Sequence, residues 1–253
     1  MPFFLFIPII TQHQLCNARR CTVVIKGYNE IMRSIPIEEN NYYHIFNRGN
    51  QKQQLFFDER DYVRMLFLIL YSQSPLMFSN IERQVNYFLK DGRFKVDKDV
   101  VEEINAQRYV ELINFCPMPN HFHLTLFNKK QSGISLYMHR ILSAFSKYFN
   151  TKHNLSGHVF QGAYKAVQVT DDNQLTYLSS YIHKNSGELS KWKNNEHKYP
   201  WSSFCDYKEN RWGLLLKPEI ILERFQNFES YKQFVKESIA KEKLENSPKY
   251  FTY

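Results

Sequence analysis

The sequence predicts an α+β fold: a ferredoxin-like (split βαβ) antiparallel sheet with helices on one face, followed by a C-terminal helical extension. Three observations predict it. Segments with strand chemistry and segments with helical periodicity follow one another as strand, helix, strand, strand, helix, strand over residues 42–169. The two middle strands are joined by the tight P-M-P-N turn at 117–120, a hairpin signal. The two long helices each carry one apolar stripe, as helices packed on a sheet do.

The first strand is Y-Y-H-I-F-N-R-G from Tyr42, rich in aromatic residues and closed by a glycine turn. Asp58 then caps a helix whose apolar positions, Tyr62, Met65, Leu66, Ile69 and Leu70, recur at three and four residues. Residues 74–106 read as an insertion with a helical piece at 81–89, a turn at Asp91-Gly92 and a short helix from Asp97. Strands at 108–116 and 121–128 form the hairpin. In the next helix Ile134, Tyr137, Met138, Ile141, Leu142 and Phe145 make the stripe, which leaves Arg140, Ser143 and Lys147 on another face. A fourth strand is expected at 159–169, after Gly157. A further helix, capped by Asp172, is expected to run to about Asn185 and to carry Tyr181. Y-P-W-S-S-F at 199–204 reads as a packed loop. Residues 218–244 read as one or two amphipathic helices docked through Ile221, Leu222, Phe225, Phe228, Tyr231 and Phe234.

By domains, residues 1–31 are expected to be an N-terminal extension outside the fold, since the sequence turns regular only after Met32. Residues 32–207 form the working domain with its insertion at 74–106, and 208–253 a C-terminal helical segment. The apolar opening M-P-F-F-L-F-I-P-I-I has no basic residue before it and no small-residue cleavage site, so it is a poor signal peptide. It is also too short to span a bilayer, which takes about 20 apolar residues. Four cysteines in 253 residues, Cys16, Cys21, Cys116 and Cys205, match no paired zinc spacing and suit a reducing cytoplasm.

Thirty-three Lys and Arg against 25 Asp and Glu give a formal charge of +8, which favours a polyanionic partner. The distribution is more telling. Between Leu112 and Thr170 there is no acidic side chain, while Lys129, Lys130, Arg140, Lys147, Lys152 and Lys165 all fall there. Such a stretch either neutralises several phosphates or is an ordinary solvated basic face.

Two local patterns carry chemistry. In M-P-N-H-F-H-L at 118–124, His121 and His123 are two apart on a strand, so they share a face with backbones about 6 to 7 Å apart and can share one metal ion. A lone H-x-H pair is also common by chance. In Y-L-S-S-Y-I-H-K-N at 177–185, a helix that buries Leu175, Leu178 and Ile182 turns Tyr177, Tyr181, Lys184 and Asn185 away from that stripe, with Tyr181 and Asn185 adjacent at four residues. Most such tyrosines simply pack half-buried.

Taken together, N-R-G at 47–49, M-P-N-H-F-H-L at 118–124, V-F-Q-G-A-Y-K at 159–165, Y-I-H-K-N at 181–185 and P-W-S-S at 200–203 resemble the single-tyrosine HUH transposases, most closely the branch associated with REP elements. Order and spacing agree over residues 42–207, and F-E-S-Y-K-Q-F-V at 228–235 looks like that branch's C-terminal segment. The resemblance implies a metal-dependent single-stranded DNA endonuclease and strand transferase that recognises hairpin DNA. It puts Mg²⁺ or Mn²⁺ on His121 and His123, with Asn185 as a third ligand, and the nucleophile on Tyr181, which would form a 5′-phosphotyrosine. Ser186 stands where the family commonly has proline, which should loosen the helix end without removing a reacting group.

Tyr177 is the alternative nucleophile, one helical turn earlier. Arg48, Arg140, Lys147, Gln161 and Lys165 are candidate DNA contacts, Gln161 and Lys165 being expected on one face of the fourth strand. Some of the 17 Tyr and 21 Phe can stack on unpaired bases. His44 and His183 read as structural or DNA-proximal, not as ligands. Two other functions stay open: a domesticated nucleic-acid-binding regulator that no longer cuts, and a hydrolase that uses water and leaves Tyr181 idle. Relatives include monomers and homodimers.

Overall fold

The computed structural model describes residues 36–240. All of these but Pro36 belong to one compact unit that begins at Ile37. The expected extension at 1–31 and the end of the C-terminal segment at 241–253 lie outside the described residues.

Strands β1 (Tyr42–Arg48), β2 (Val110–Met118), β3 (His121–Asn128) and β4 (Lys165–Val169) form one sheet in the order β2-β3-β1-β4, every neighbouring pair antiparallel. Placing β3 between β1 and β2 is the split βαβ arrangement. Strand alternation gives the sheet two unlike faces. On one, the Phe122 ring meets Phe160 at 6.1 Å and Phe160 meets Phe145 at 6.0 Å. Phe145 lies on α4 (Gly133–His153), and the Tyr137 hydroxyl of that helix donates to Ile69 O of α1 (Glu59–Tyr71) at 2.7 Å. Helices α1 and α4 therefore cover the Phe122 face. The opposite face presents His44, Phe46, His121 and His123, and the extra helix α5 (Asp172–Lys184) covers it.

Helix α1 starts on a capping box: the Asp58 carboxylate accepts from Asp61 N, and the Asp61 carboxylate accepts from Asp58 N. Asp61 is fully buried and also accepts from Lys152 Nζ at 2.6 Å and the Tyr148 hydroxyl at 2.7 Å, both from α4. Two helices are thus pinned through one carboxylate, and Lys152, read from sequence as part of a basic stretch, has its charge spent there. Because removal strands buried donors, Asp61→Ala is expected to lower unfolding free energy by about 3 kcal/mol. Urea unfolding checks this, and an unchanged midpoint contradicts it.

The insertion forms α2 (Ile81–Asp91) and α3 (Lys98–Gln107). It packs on α1 through Val85, Phe88 and Phe94 and through Glu82, which bridges Arg60 and Arg64. The C-terminal segment resolves into two helices, α6 (Glu219–Leu222) and α7 (Phe228–Glu237). Asn227, whose side chain accepts from Ser230 N, starts the second.

Two expectations about element ends are corrected. Strand β4 begins at Lys165, not at 159, because Gly162 has φ +115°, a conformation no extended strand holds. Val159–Gln161 instead run beside the end of β1, where Gln161 N donates to Arg48 O and Phe160 forms an isolated bridge with Gly49. The cap of α5 is Asp171, which accepts from Gln174 N at 2.8 Å. Asp172 is the first helical residue, and its carboxylate pairs with Arg224 at 2.9 Å. Among the described residues no helix is long and apolar enough to cross a membrane.

Candidate active site

The β2–β3 hairpin places the histidines. Met118 and His121 are paired, so Pro119 and Asn120 alone make the turn. That turn is held from outside: Leu55 N and Phe56 N donate to Pro119 O, and Gly49 N donates to Asn120 O at 2.8 Å. Gly49 is needed where its own loop turns back, since a Cβ there would lie 2.2 Å from Gln53 O.

His121 and His123 project from one face with ring centroids 5.1 Å apart and planes at 85°. Each has its Nδ1 engaged. His121 Nδ1 donates to Asn120 Oδ1 at 2.7 Å, while Asn120 Nδ2 donates to Lys52 O, which fixes the amide's orientation. His123 Nδ1 faces His44 Nε2 at 2.9 Å. Nε2 is in each case the other ring nitrogen, on which a neutral imidazole protonated at Nδ1 carries its lone pair.

Helix α5 brings Tyr181 over this pair. Its ring lies 5.5 Å from the His123 ring and 6.1 Å from that of His44, edge-on to both. Asn185 follows one turn later. Its Nδ2 donates to Tyr181 O at 2.9 Å, and the side chain lies near enough to His121 to act on it. Tyr181 and Asn185 are each only 6% exposed, so residues expected away from the Leu175, Leu178 and Ile182 stripe are buried as well. The reason is that α5 is packed on two sides, by the sheet and by the C-terminal segment. The edge of Tyr181 borders a cleft of about 240 Å³ lined also by Asn185, Glu188 and Lys193.

A buried polar chain locks α5 in place. His183 Nε2 pairs with Ser203 Oγ at 2.8 Å, and Ser203 Oγ accepts from Phe115 N of β2 at 2.9 Å. On the other side of the ring the Tyr231 hydroxyl of α7 donates to His183 Nδ1 at 2.6 Å and meets Ser179 Oγ at 2.7 Å. The histidine of Y-I-H and the second serine of P-W-S-S are therefore one structural device that fixes the helix on its own sheet. Tyr177 faces another way, with its ring 5.5 Å from Phe234 of α7.

Burial keeps the site imidazoles neutral, the form in which they can donate a lone pair. The His121 pKa is lowered to about 4, mainly by burial; the Arg48 charge acts in the same direction, and the Glu188 charge opposes both. His123 is pushed well below the usual histidine range by burial, then by His121, His44 and Arg48. His44 and His183 are each lowered to about 3 by burial. For such groups stability is full above the unfolded value near 6.5 and is lost as pH falls toward the folded value. Between pH 7.5 and 4.5, His44 and His183 are each expected to cost about 2 to 3 kcal/mol. Urea midpoints at the two pH values test this, and equal midpoints contradict it.

Of the other candidates, Arg48 is the register partner of His121 and stands on the histidine face, as does Lys165, the partner of Phe46. Gln161 lies in the bend before β4, not on a strand face shared with Lys165. Arg140 and Lys147 sit on α4, across the sheet from the histidines. The Arg140 guanidinium donates to Pro75 O and Leu76 O, tying α4 to the insertion. Sequence reasoning missed the roles of three residues. His44 and Asn120 hold the imidazoles, and Glu188 lies near enough to act on His121. Asn120 was inside the quoted motif, His44 had the signal of a polar residue in an apolar strand, and Glu188 had none.

Among the described residues no three His, Cys, Asp or Glu side chains converge as a metal site. No curated protein matches the chain. The chain is similar to a solved structure of a REP-associated tyrosine transposase bound to a REP hairpin, with 16% identity, a TM-score of 0.45, and 71% of this chain and 84% of that one covered. The sequence model of the IS200-like transposases matches residues 38–185, more than half of the chain, and the chain belongs to that family.

Proposed function

We propose that this transposase is a divalent-metal-dependent, single-stranded DNA endonuclease and strand transferase that recognises hairpin DNA and cuts through a 5′-phosphotyrosine on Tyr181. The observation that carries the reading is the Tyr181 ring with its centroid 5.5 Å from that of His123 and the planes at 86°, with Asn185 one turn away and His121 beside His123. A pure DNA-binding regulator has no use for that convergence. A hydrolase that uses water would have no need of the phenol.

The donor set fits a hard or borderline ion: two neutral imidazoles with Nδ1 already occupied, and the Asn185 amide near His121. Bound by His121, His123 and Asn185, Mg²⁺ or Mn²⁺ supplies positive charge that polarises the scissile phosphate and stabilises its non-bridging oxygens. The rest falls to the chain. Tyr181 Oη gives its proton to solvent and bonds to phosphorus, and the bond from phosphorus to the 3′ oxygen breaks, that oxygen taking a proton back from solvent to leave a 3′-hydroxyl. Since one phosphoester replaces another, a second 3′-hydroxyl can reverse the step at a new junction without ATP. The locked α5 holds the phenol in place, so little orientation has to be gained on binding. Arg48 and Lys165, on the same sheet face, are placed to take backbone phosphates, and the cleft beside Tyr181 gives the strand its entry. Arg140 and Lys147, across the sheet, serve at most a distal part of the DNA.

The test uses single-stranded hairpin oligonucleotides labelled at either end and incubated with the protein and Mn²⁺. A denaturation-resistant adduct that keeps the 3′-side label, with release of a free 3′-hydroxyl fragment, is expected. Binding without cleavage would favour the regulator, and cleavage without an adduct the hydrolase.

A further inference from the structure

We propose that His44 is a positioning residue, which sets the tautomer of His123 and so aims its Nε2 lone pair for a divalent cation; this rests on the metal-dependent reading above. The two outer partners in the site are not alike. Asn120 presents an oxygen to His121, and an amide oxygen can only accept, so the His121 proton is held on Nδ1 whatever else is bound. His123 instead meets a second imidazole: His44 Nε2 lies 2.9 Å from His123 Nδ1, with the rings inclined by 20°. Two neutral imidazoles in that contact share one proton. If His44 donates it, His123 carries its own proton on Nε2 and has no lone pair to offer there. If His123 donates it, Nε2 carries the ring's lone pair and His44 must accept, keeping its own proton on Nδ1.

Only the second arrangement can hold an ion, so cation binding selects it, and His44 is the group that makes it possible. The pair is closed to bulk water. His44 is 2% exposed and His123 not at all. The cross-strand geometry is built for this pairing: the register sets His44 opposite Thr125 and Phe46 opposite His123, so His44 reaches His123 diagonally on the same face, with Phe46 5.8 Å from the His123 ring. Without an acceptor at position 44, the buried His123 N–H loses this hydrogen bond in the tautomer that an ion requires.

The experiment measures Mn²⁺ affinity by calorimetry on the full chain, comparing wild type, His44→Phe, His44→Gln and His123→Ala, with folding checked by circular dichroism. His44→Phe keeps a ring but no acceptor and is expected to weaken Mn²⁺ binding by about 10- to 100-fold. His44→Gln, whose side-chain oxygen can accept, is expected to return affinity to within a few-fold of wild type. Wild-type affinity in a folded His44→Phe variant, together with loss of binding in His123→Ala, overturns this proposal alone. Absence of Mn²⁺ binding by the wild type, or wild-type binding by His123→Ala, overturns the metal reading and this inference with it. A second measurement does not depend on any variant. In protein with ¹⁵N-labelled histidine and saturating Mg²⁺, a nitrogen–nitrogen coupling across the His44–His123 bond is expected, with the proton on His123 Nδ1. A proton on His44 Nε2, or no coupling, overturns the proposal.

Discussion

Tyr181→Phe is expected to abolish the covalent protein–DNA adduct and to lower cleavage by at least about 10³-fold, while Tyr177→Phe leaves both close to wild type. The two tyrosines are one helical turn apart, and sequence alone leaves both open. Structure separates them by what surrounds each ring. Tyr181 is edge-on to His123 and His44, whereas Tyr177 lies against Phe234 of α7. Phenylalanine keeps the packed ring and removes only the hydroxyl, so loss of activity in a folded Tyr181→Phe protein reports on chemistry and not on stability. Denaturing gels with labelled hairpins decide between them. An adduct that survives Tyr181→Phe and vanishes in Tyr177→Phe would move the nucleophile one turn along the helix.

The second large effect concerns the ion. Mn²⁺ at 100 times its dissociation constant should stabilise the wild type by about 2.7 kcal/mol against unfolding. That gain is expected to be absent in His121→Ala with His123→Ala, and cleavage should vanish both in that variant and in wild type treated with a chelator. The physical reason is that the donor set is small. With two imidazoles and one amide, and no further His, Cys, Asp or Glu completing a site among the described residues, removing the imidazoles leaves too few ligands to hold a divalent ion. Thermal unfolding with and without Mn²⁺ measures the stabilisation. Equal shifts in the wild type and the double variant would place the ion elsewhere.

Much of this fold was readable because its parts are local. The stripes of α1 and α4, the two-residue turn between β2 and β3 and the capping role of Asp58 all depend on residues within a few positions of one another. The same holds for His121 and His123, whose shared face follows from the two-residue period of a strand. What could not be read depends on partners distant in sequence. The burial of Tyr181 and Asn185 comes from α5 lying between the sheet and the C-terminal segment, and no periodicity within α5 reveals two covers. His44 gains its role from a strand register 79 residues away, and Arg140 from carbonyls of the insertion. The shortened β4 follows from the left-handed backbone at Gly162, a glycine that sequence reading passed over as an ordinary strand position.

The polar chain through His183 bears on assembly as well as on rigidity. Ser203, His183, Tyr231 and Ser179 tie α5 to β2 and α7 of the same chain, and all four are buried. Among the described residues, Tyr181 lies beside His123 and His44 of its own chain.

The most direct measurement is mass spectrometry of the protease-digested protein–DNA adduct formed on a hairpin oligonucleotide with Mn²⁺. The account predicts a nucleotide joined through its 5′ phosphate to the peptide containing Tyr181, with fragment ions placing it on that residue. A nucleotide on any other side chain, or complete cleavage with every peptide unmodified, would contradict it.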